Sequence, residues 1–289
     1  MRGSRDRFLL ILVGVAATAV YAPTVAWLWQ RWTMSVWHNA HGLLVPFVVA
    51  YMTWEKLRTD SSSTPQPNAW GFAFVVPALF IEVLDTGMHT QLLSAVSLVL
   101  LLPGLALLTL GATRTRAIAF PLAFMVFALP IPLSMTEQLH MMLRHVDTAA
   151  TAAIVPWLGI PVYVEATTLN MAHASLEIGD ACSGFSTLYA AAAMACLTAF
   201  YADGWQRRLL VVASAAPLAI AANILRIVLL VAIVAHTGID VLDTWIHPAS
   251  GMLTFALALP VIFWLGQCAE RHRPDAAGTA ALAAPDTIA

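Results

Sequence analysis

Between Leu209 and Val234 the chain reads LLVVASAAPLAIAANILRIVLLVAIV, a stretch whose only charged side chain is Arg226. A helix needs roughly 17–25 consecutive apolar residues to cross the hydrocarbon core of a bilayer, so this stretch predicts a membrane span with length to spare. A charged side chain inside a span is costly and typically marks a functional site. The stretch therefore predicts a membrane fold and also indicates where its chemistry is expected.

The composition of the whole chain agrees with a membrane fold. Hydrophobic residues make up 60% and charged residues 10% of the chain, and the mean hydropathy is +0.78. Charged residues make up about a quarter of an ordinary soluble domain, so that class is excluded. We predict an all-α polytopic membrane protein of about eight transmembrane helices, at 8–30, 42–55, 70–86, 92–110, 117–134, 184–202, 208–235 and 249–267.

The distribution of basic residues predicts the orientation. With the N-terminus in the cytoplasm, eleven of the 14 Lys and Arg residues fall on the cytoplasmic side, while Arg31 and Arg144 fall outside and Arg226 lies within a span. This asymmetry is the positive-inside pattern, and with it both termini are cytoplasmic. The first apolar run is too long for a cleavable signal peptide, so we expect a retained helix. We expect a multi-pass protein of the cell (cytoplasmic or inner) membrane.

One extracytoplasmic segment, 135–183, is longer than the others. Its first half has helix-like spacing and suits an interfacial helix. Its second half, 160–178, has β-branched and alternating residues that predict a short β hairpin or extended lid. We expect one transmembrane domain over 1–270 and a disordered cytoplasmic tail at 271–289. The apolar face of the interfacial helix is formed by Leu139, Met142, Leu143 and Val146.

The run Ala181-Cys182-Ser183-Gly184-Phe185 places a thiol at the mouth of the sixth apolar segment. The unpaired N–H groups at a helix start lower the pKa of a thiol and favour the nucleophilic thiolate. Small neighbours leave the sulfur approachable. Cys196 and Cys268 are interpreted as ordinary small hydrophobic residues.

Two further side chains lie at the membrane depth of Cys182. Arg226 lies roughly 25 Å along its helix from the cytoplasmic end, close to the outer interface, with Asn223 one turn earlier. His247 precedes Pro248 and suits the first turn of the last helix. A thiol nucleophile, a proton carrier and a cation that stabilises an oxyanion together indicate acyl transfer through a thioester.

The residues around these three positions resemble the exosortase/archaeosortase family of multipass membrane cysteine transpeptidases. The motifs are Asp180-Ala181-Cys182-Ser183-Gly184, Asn223-Ile224-Leu225-Arg226-Ile227, and His247 with Gly251, and weaker likenesses occur at 41–45 and 120–132. The resemblance implies that Cys182, Arg226 and His247 are catalytic. It also implies protein substrates with a C-terminal signal made of a short motif, a transmembrane helix and a basic cluster, cut at the outer membrane face. Asp180 and Ser186 depart from the commoner family residues, Glu and Arg, which leaves the subfamily and its recognised motif open.

Other functions remain possible on the sequence alone. A multipass transporter would use Glu82 and Asp85, although no paired repeat is visible. A metal-dependent enzyme would use His38 and His41, but a third ligand is not evident. A non-enzymatic protein of envelope assembly is a further alternative. We expect no cofactor, no metal and no nucleic-acid partner; whether water or an acceptor amine resolves the thioester stays open.

Overall fold

The computed structural model describes residues 2–34, 39–59, 66–238 and 244–267. The described chain is mostly helical and divides into two compact units, Met1–Glu137 and Gln138–Ala289. The tail predicted at 271–289 lies outside the described residues. That 1–270 forms one domain stays a prediction.

The described part of the first unit contains six α-helices and the start of a seventh. Its helices are α1 (Arg2–Thr33), α2 (His41–Thr59), α3 (Phe72–Met88), α4 (Leu92–Leu110), α5 (Ala112–Ala117) and α6 (Ala119–Phe124). Tyr21 of α1, Glu82 of α3 and Ser97 of α4 are joined by hydrogen bonds: the Tyr21 and Ser97 hydroxyls are 2.7 Å apart, and Ser97 Oγ donates to Glu82 Oε2 at 3.0 Å. These hydrogen bonds connect three helices of the first unit.

The segment 117–134, predicted as one span, is interrupted. Helix α6 passes into a 3-10 helix over Met125–Ala128, and the chain leaves helical conformation before α7 (Leu133–Ile154) begins. Pro130 and Pro132 lie in this break, and proline lacks the N–H that would continue a helix. The prediction of a continuous helix over 117–134 is therefore wrong.

The second unit contains most of α7, a small sheet and three further helices. A 3-10 helix at Val155–Leu158 follows α7, and another at Asp180–Cys182 follows the sheet. The other elements are β1 (Tyr163–Glu165), β2 (Thr168–Asn170), β3 (Ser175–Glu177), α8 (Phe185–Tyr201), α9 (Trp205–Thr237) and α10 (Ile246–Gln267).

The described residues contain three helical segments that are long and apolar enough to cross a membrane, Ala69–Met88, Leu92–Leu110 and Trp205–Thr237. A fourth is counted if Ala119–Ala128 and Leu133–Leu158 are taken as one broken span. Of the other predicted spans, 8–30 and 42–55 fall in α1 and α2, 184–202 falls in the shorter apolar helix α8, and 249–267 falls in α10, within which Ala249–Trp264 is a shorter apolar segment. A membrane protein is thus supported, while the number of eight spans and the orientation stay predictions.

Helices α8 and α9 pack through small side chains. Ala191, Ala195 and Ala199 recur every fourth residue on α8 and are buried against α9. Small residues let two helix backbones approach closely, which is the usual way that helices associate where lipid removes the hydrophobic driving force. This packing holds the start of α8, and the residues before it, against the middle of α9.

The β segment forms a three-stranded antiparallel sheet with the order β1-β2-β3. It confirms the predicted hairpin and adds one strand. Leu169 of β2 lies opposite Leu176 of β3, and both are buried together with Ile178. The inner face of the sheet therefore covers a hydrophobic core, and the residues that follow β3 belong to that core.

Candidate active site

Cys182 lies in the 3-10 helix between β3 and α8, and it is buried. Its exposed fraction is 3%, and it packs in one core with the inner face of the sheet and with Ile227 and Val231 of α9. The prediction of an approachable sulfur is wrong, because small neighbours in sequence do not prevent coverage by residues distant in sequence. A substrate carbonyl can reach this sulfur only if part of its surroundings moves.

The environment of Cys182 does not lower the pKa of its thiol as the sequence predicts. Burial raises the pKa above its ordinary value, the positive charge of Arg226 lowers it, and the carboxylate of Asp147 adds to the increase. Desolvation disfavours the charged thiolate and here outweighs the cation. The predicted effect of the helix start is weakened because α8 begins only at Phe185.

Three of the backbone N–H groups around Cys182 already have acceptors within the protein. Cys182 N–H donates to the Gly179 carbonyl at 2.9 Å, Ser183 N–H to the Asp180 carbonyl at 3.3 Å, and Phe185 N–H to Ser183 Oγ at 3.4 Å. These three N–H groups are therefore not free to stabilise an oxyanion. This leaves Arg226 as the stronger candidate for stabilising negative charge.

Asn223 connects α9 to the cysteine turn, the 3-10 helix at Asp180–Cys182 with the residues that join it to α8. Its Nδ2 donates to the Cys182 carbonyl at 2.9 Å and to Asp147 Oδ2 at 2.7 Å. Gly184 allows this approach: its φ is +70°, and a Cβ there would lie 2.6 Å from Asn223 Cγ. The Asn223 side chain thus positions the backbone of Cys182.

Arg226 is brought close to Cys182, as the common depth predicted. It is 4% exposed, its charge acts on the thiol, and its Nε donates to Ser250 Oγ of α10 at 3.0 Å. The guanidinium also lies over Gly251, where a Cβ would be 3.5 Å from Cζ. Arg226 therefore rests against the first two turns of α10.

His247 is the second residue of α10, so the predicted place in the first turn of this helix is confirmed. Its side chain lies outside the described part of the chain. Ser250 and Gly251 follow it by three and four positions, a spacing that puts all three positions on one helix face. The backbone thus places position 247 one turn from the contact between α10 and Arg226.

Helix α7 contributes residues that the sequence analysis missed. The His140 ring lies against the Phe185 ring, with centroids 4.6 Å apart and planes tilted by 33°, and its Nδ1 lies 2.8 Å from Ser183 Oγ. Because the Ser183 hydroxyl donates to the Asp180 carbonyl at 2.9 Å, the imidazole is the donor to the hydroxyl. Arg144 forms a 3.4 Å ion pair with Asp180. These contacts fix the residues on both sides of Cys182.

Most of the buried side chains of α7 are polar, and part of its predicted apolar face is exposed. His140, Asp147, Thr148 and Thr151 are buried; of the predicted apolar face, Leu143 is buried with them, whereas Met142 and Val146 are exposed. The polar positions 140, 144, 147 and 151 recur at helical spacing, and this period was the available signal. An outward apolar face is what a lipid-facing helix requires.

The residues of the alternative functions have structural surroundings of their own. Asp85 is buried and accepts hydrogen bonds from the N–H and hydroxyl groups of Thr90 and Ser94, so it caps the start of α4. Among the described residues, no three His, Cys, Asp or Glu side chains form a group that could hold a metal ion. His38 lies outside the described residues, so the suggested pair with His41 is not tested.

The comparisons with known proteins identify the family. A family model described as transmembrane exosortase matches residues 29–264 of the chain. No curated protein and no solved structure matches the chain. The match covers Cys182, Arg226 and His247 and includes most of both compact units. The chain therefore belongs to the transmembrane exosortase family.

Proposed function

We propose that the chain is a membrane-embedded cysteine peptidase or transpeptidase with Cys182 as its nucleophile. Family membership indicates a membrane enzyme that processes sorting signals. The proposed substrates are proteins whose C-terminal signal consists of a short motif, a transmembrane helix and a basic cluster, cut at the outer face of the cell membrane. One observation carries the proposal: Arg226, a buried cation in a membrane span, lies close enough to Cys182 to lower the pKa of its thiol.

The proposed reaction uses three side chains. His247 accepts the proton of the Cys182 thiol, and the thiolate sulfur attacks the carbonyl carbon of the peptide bond. The oxygen of the tetrahedral intermediate carries the negative charge, which the Arg226 guanidinium stabilises. When the C–N bond breaks, the leaving amine takes the proton from His247 and a thioester remains on Cys182. Water or an acceptor amine then attacks the thioester and releases the thiol.

The supporting residues keep this geometry without touching the reacting atoms. Asn223 holds the Cys182 carbonyl, and Asp147 holds Asn223. Ser250 holds the guanidinium of Arg226 by a 3.0 Å hydrogen bond from α10, the helix that carries His247. Loss of any one of these contacts should lower the rate by misplacing a catalytic group.

The test is to trap the acyl-enzyme. The chain is co-expressed with tailed candidate proteins, and the peptide attached to Cys182 is identified by mass spectrometry. We expect a thioester-linked fragment ending at the cleavage site, and no fragment with Cys182→Ala. Cys196→Ala is the matched control, since Cys196 is the other free cysteine among the described residues and lies inside α8. Processing that survives Cys182→Ala would overturn the thiol mechanism and favour a transporter or an assembly protein.

A further inference from the structure

The strand β3 leads directly into the turn that carries Cys182. Only Ile178 and Gly179 separate its last residue, Glu177, from the 3-10 helix at Asp180–Cys182. Leu176 and Ile178 pack in the same hydrophobic core as Cys182. The position of β3 is therefore tied to the position of the nucleophile by packing as well as by chain connection.

The register shows which backbone groups of β3 point away from β2. Ile178 N–H donates to the Thr167 carbonyl at 2.9 Å, and Met171 N–H donates to the Ala174 carbonyl at 2.8 Å. Hydrogen-bonded and non-bonded residue pairs alternate in an antiparallel ladder, so the backbone N–H and C=O groups of Leu176 also point to its partner on β2, Leu169. The N–H and C=O groups of the two intervening residues, Ser175 and Glu177, point to the opposite edge.

This edge of the sheet is open. Ser175 and Glu177 are exposed, their N–H groups point away from β2 in this register, and among the described residues no hydrogen bond outside the ladder uses these N–H groups. β1 carries the other edge, where Val164 is the outward residue by the same alternation. An open edge with two residues' worth of N–H and C=O groups is a template for one short added strand.

We propose that the β3 edge binds the extended segment of the substrate that precedes its transmembrane helix, as a fourth strand of the sheet. The proposal rests on the proposed peptidase function and specifies how the substrate is held. Main-chain hydrogen bonds to an exposed edge bind a peptide in extended form, the conformation in which a peptide bond is accessible to a nucleophile. Five positions separate Glu177 from Cys182, at most about 18 Å of chain, so a bound strand of about five residues covers the same distance.

The charge of the sheet favours a substrate over a second copy of this chain. Glu165 of β1 and Glu177 of β3 lie on the same outer face, since both pair with Thr168 of β2. Two copies joined through their β3 edges would place four of these carboxylates on one sheet face, and a register that sets Glu177 opposite its equivalent is destabilised by like charges. A substrate segment without acidic residues meets no such repulsion.

The first experiment removes the N–H from the open edge. Glu177→Pro deletes the outward N–H but none of the ladder bonds to β2, and proline is tolerated at an edge of this kind. We expect the substrate identified as the acyl-enzyme on Cys182 to be processed at least about tenfold more slowly. This factor corresponds to a loss of ~1.4 kcal/mol. Val164→Pro makes the same change on the β1 edge and should leave processing unchanged. Equal losses for Glu177→Pro and Glu177→Ala, which keeps the N–H, would assign the effect to the carboxylate and overturn the proposal.

The second experiment does not need turnover. A benzophenone amino acid is placed at position 177 or, as the control, at position 164, in the Cys182→Ala variant in cells. We expect cross-linked peptides from segments just before a C-terminal transmembrane helix at position 177 only. Cross-links to a second copy of this chain, equal capture at both positions, or no such peptide would overturn the proposal. Capture at position 177 together with processing that survives Cys182→Ala would instead overturn the thiol mechanism and leave the binding edge standing.

Discussion

Replacement of Gly184 by Ala tests the contact that connects α9 to the cysteine turn. Gly184 has a φ of +70° and a ψ of 4°, so it occupies the left-handed region immediately before α8. A Cβ at this position would lie 2.6 Å from Cγ, 2.7 Å from Nδ2 and 2.9 Å from Cβ of Asn223. The substitution therefore adds both backbone strain and a steric overlap with a buried side chain.

The expected cost has two parts. Left-handed backbone costs an L-residue about 1–2 kcal/mol. Forcing a methyl group into a packed site typically costs a further ~1–3 kcal/mol. We expect Gly184→Ala to lower the free energy of unfolding by about 2–5 kcal/mol in total. Asn223 can yield only by leaving Asp147 and the Cys182 carbonyl, so catalysis should fall more than stability alone explains.

Gly159 provides the matched control. It also has a left-handed backbone, with a φ of +79° and a ψ of 12°, but a Cβ there would have no atom within 4 Å. Gly159→Ala should therefore show the backbone cost of about 1–2 kcal/mol alone. The assay is reversible unfolding in mixed detergent micelles, with processing by Cys182 measured on the same preparations.

The comparison has a clear refuting result. Equal losses of unfolding free energy for Gly184→Ala and Gly159→Ala would show that the approach to Asn223 is not close. Combining Gly184→Ala with Asn223→Ala removes the two nearest atoms, Cγ and Nδ2. The double variant should consequently lose less stability than the sum of the two single variants, because contacting residues couple.

Three further predictions follow from the contacts of the site. Alkylation of Cys182 by iodoacetamide should accelerate only as the pH rises above the ordinary thiol pKa of about 8.5, because burial raises the pKa of this thiol. Arg226→Gln removes the charge that lowers the pKa, so the pH profile of alkylation should move to higher pH. An unmoved profile would show that Arg226 does not act on the thiol. Gly251→Ala should keep the processing rate within about threefold, because the added Cβ makes only ordinary contact with the Arg226 guanidinium. Gly251→Leu should lower the processing rate about tenfold or more. These factors correspond to activation free-energy differences of about 0.7 and ~1.4 kcal/mol. Asp147→Leu leaves a donor of Asn223 unsatisfied and should lower the free energy of unfolding by about 1–3 kcal/mol. Asp147→Asn keeps an acceptor for Asn223 and should lower this free energy less. Equal losses of the two variants in detergent unfolding would show that the hydrogen bond between Asn223 and Asp147 contributes little.

Local patterns in the sequence predict much of the fold. The apolar runs at 92–110 and 208–235 become α4 and α9, and the alternating residues of 160–178 become the sheet. These features depend on residues near one another in the chain, where helical or strand periodicity is directly visible. The break in 117–134 was also visible as Pro130 and Pro132, but apolarity alone outweighed it in the prediction.

The candidate site was predicted only in part, since its contacts join residues far apart in sequence. Helix lengths in the sequence predict that Cys182 and Arg226 lie close together, and the structure brings them close. The polar face of α7 could not be assigned to the site in this way, because an amphipathic helix has the same period whether its apolar face points to lipid or to protein. Asp147 and Asn223 are 76 positions apart, and nothing local indicates that they meet.

Burial of the nucleophile changes how Arg226 acts in the proposed reaction. A neutral thiol is inexpensive in an apolar core, whereas a thiolate there is destabilised by desolvation. In the same low dielectric, the attraction between a thiolate and a nearby guanidinium is stronger than it would be in water. Arg226 therefore stabilises the charged states of the reaction, first the thiolate and then the oxyanion, far more than it stabilises the resting thiol. Because the surroundings of Cys182 must also move before a carbonyl can enter, a substrate strand bound at β3, whose side chains pack on the same core, would link arrival of the peptide to exposure of the sulfur.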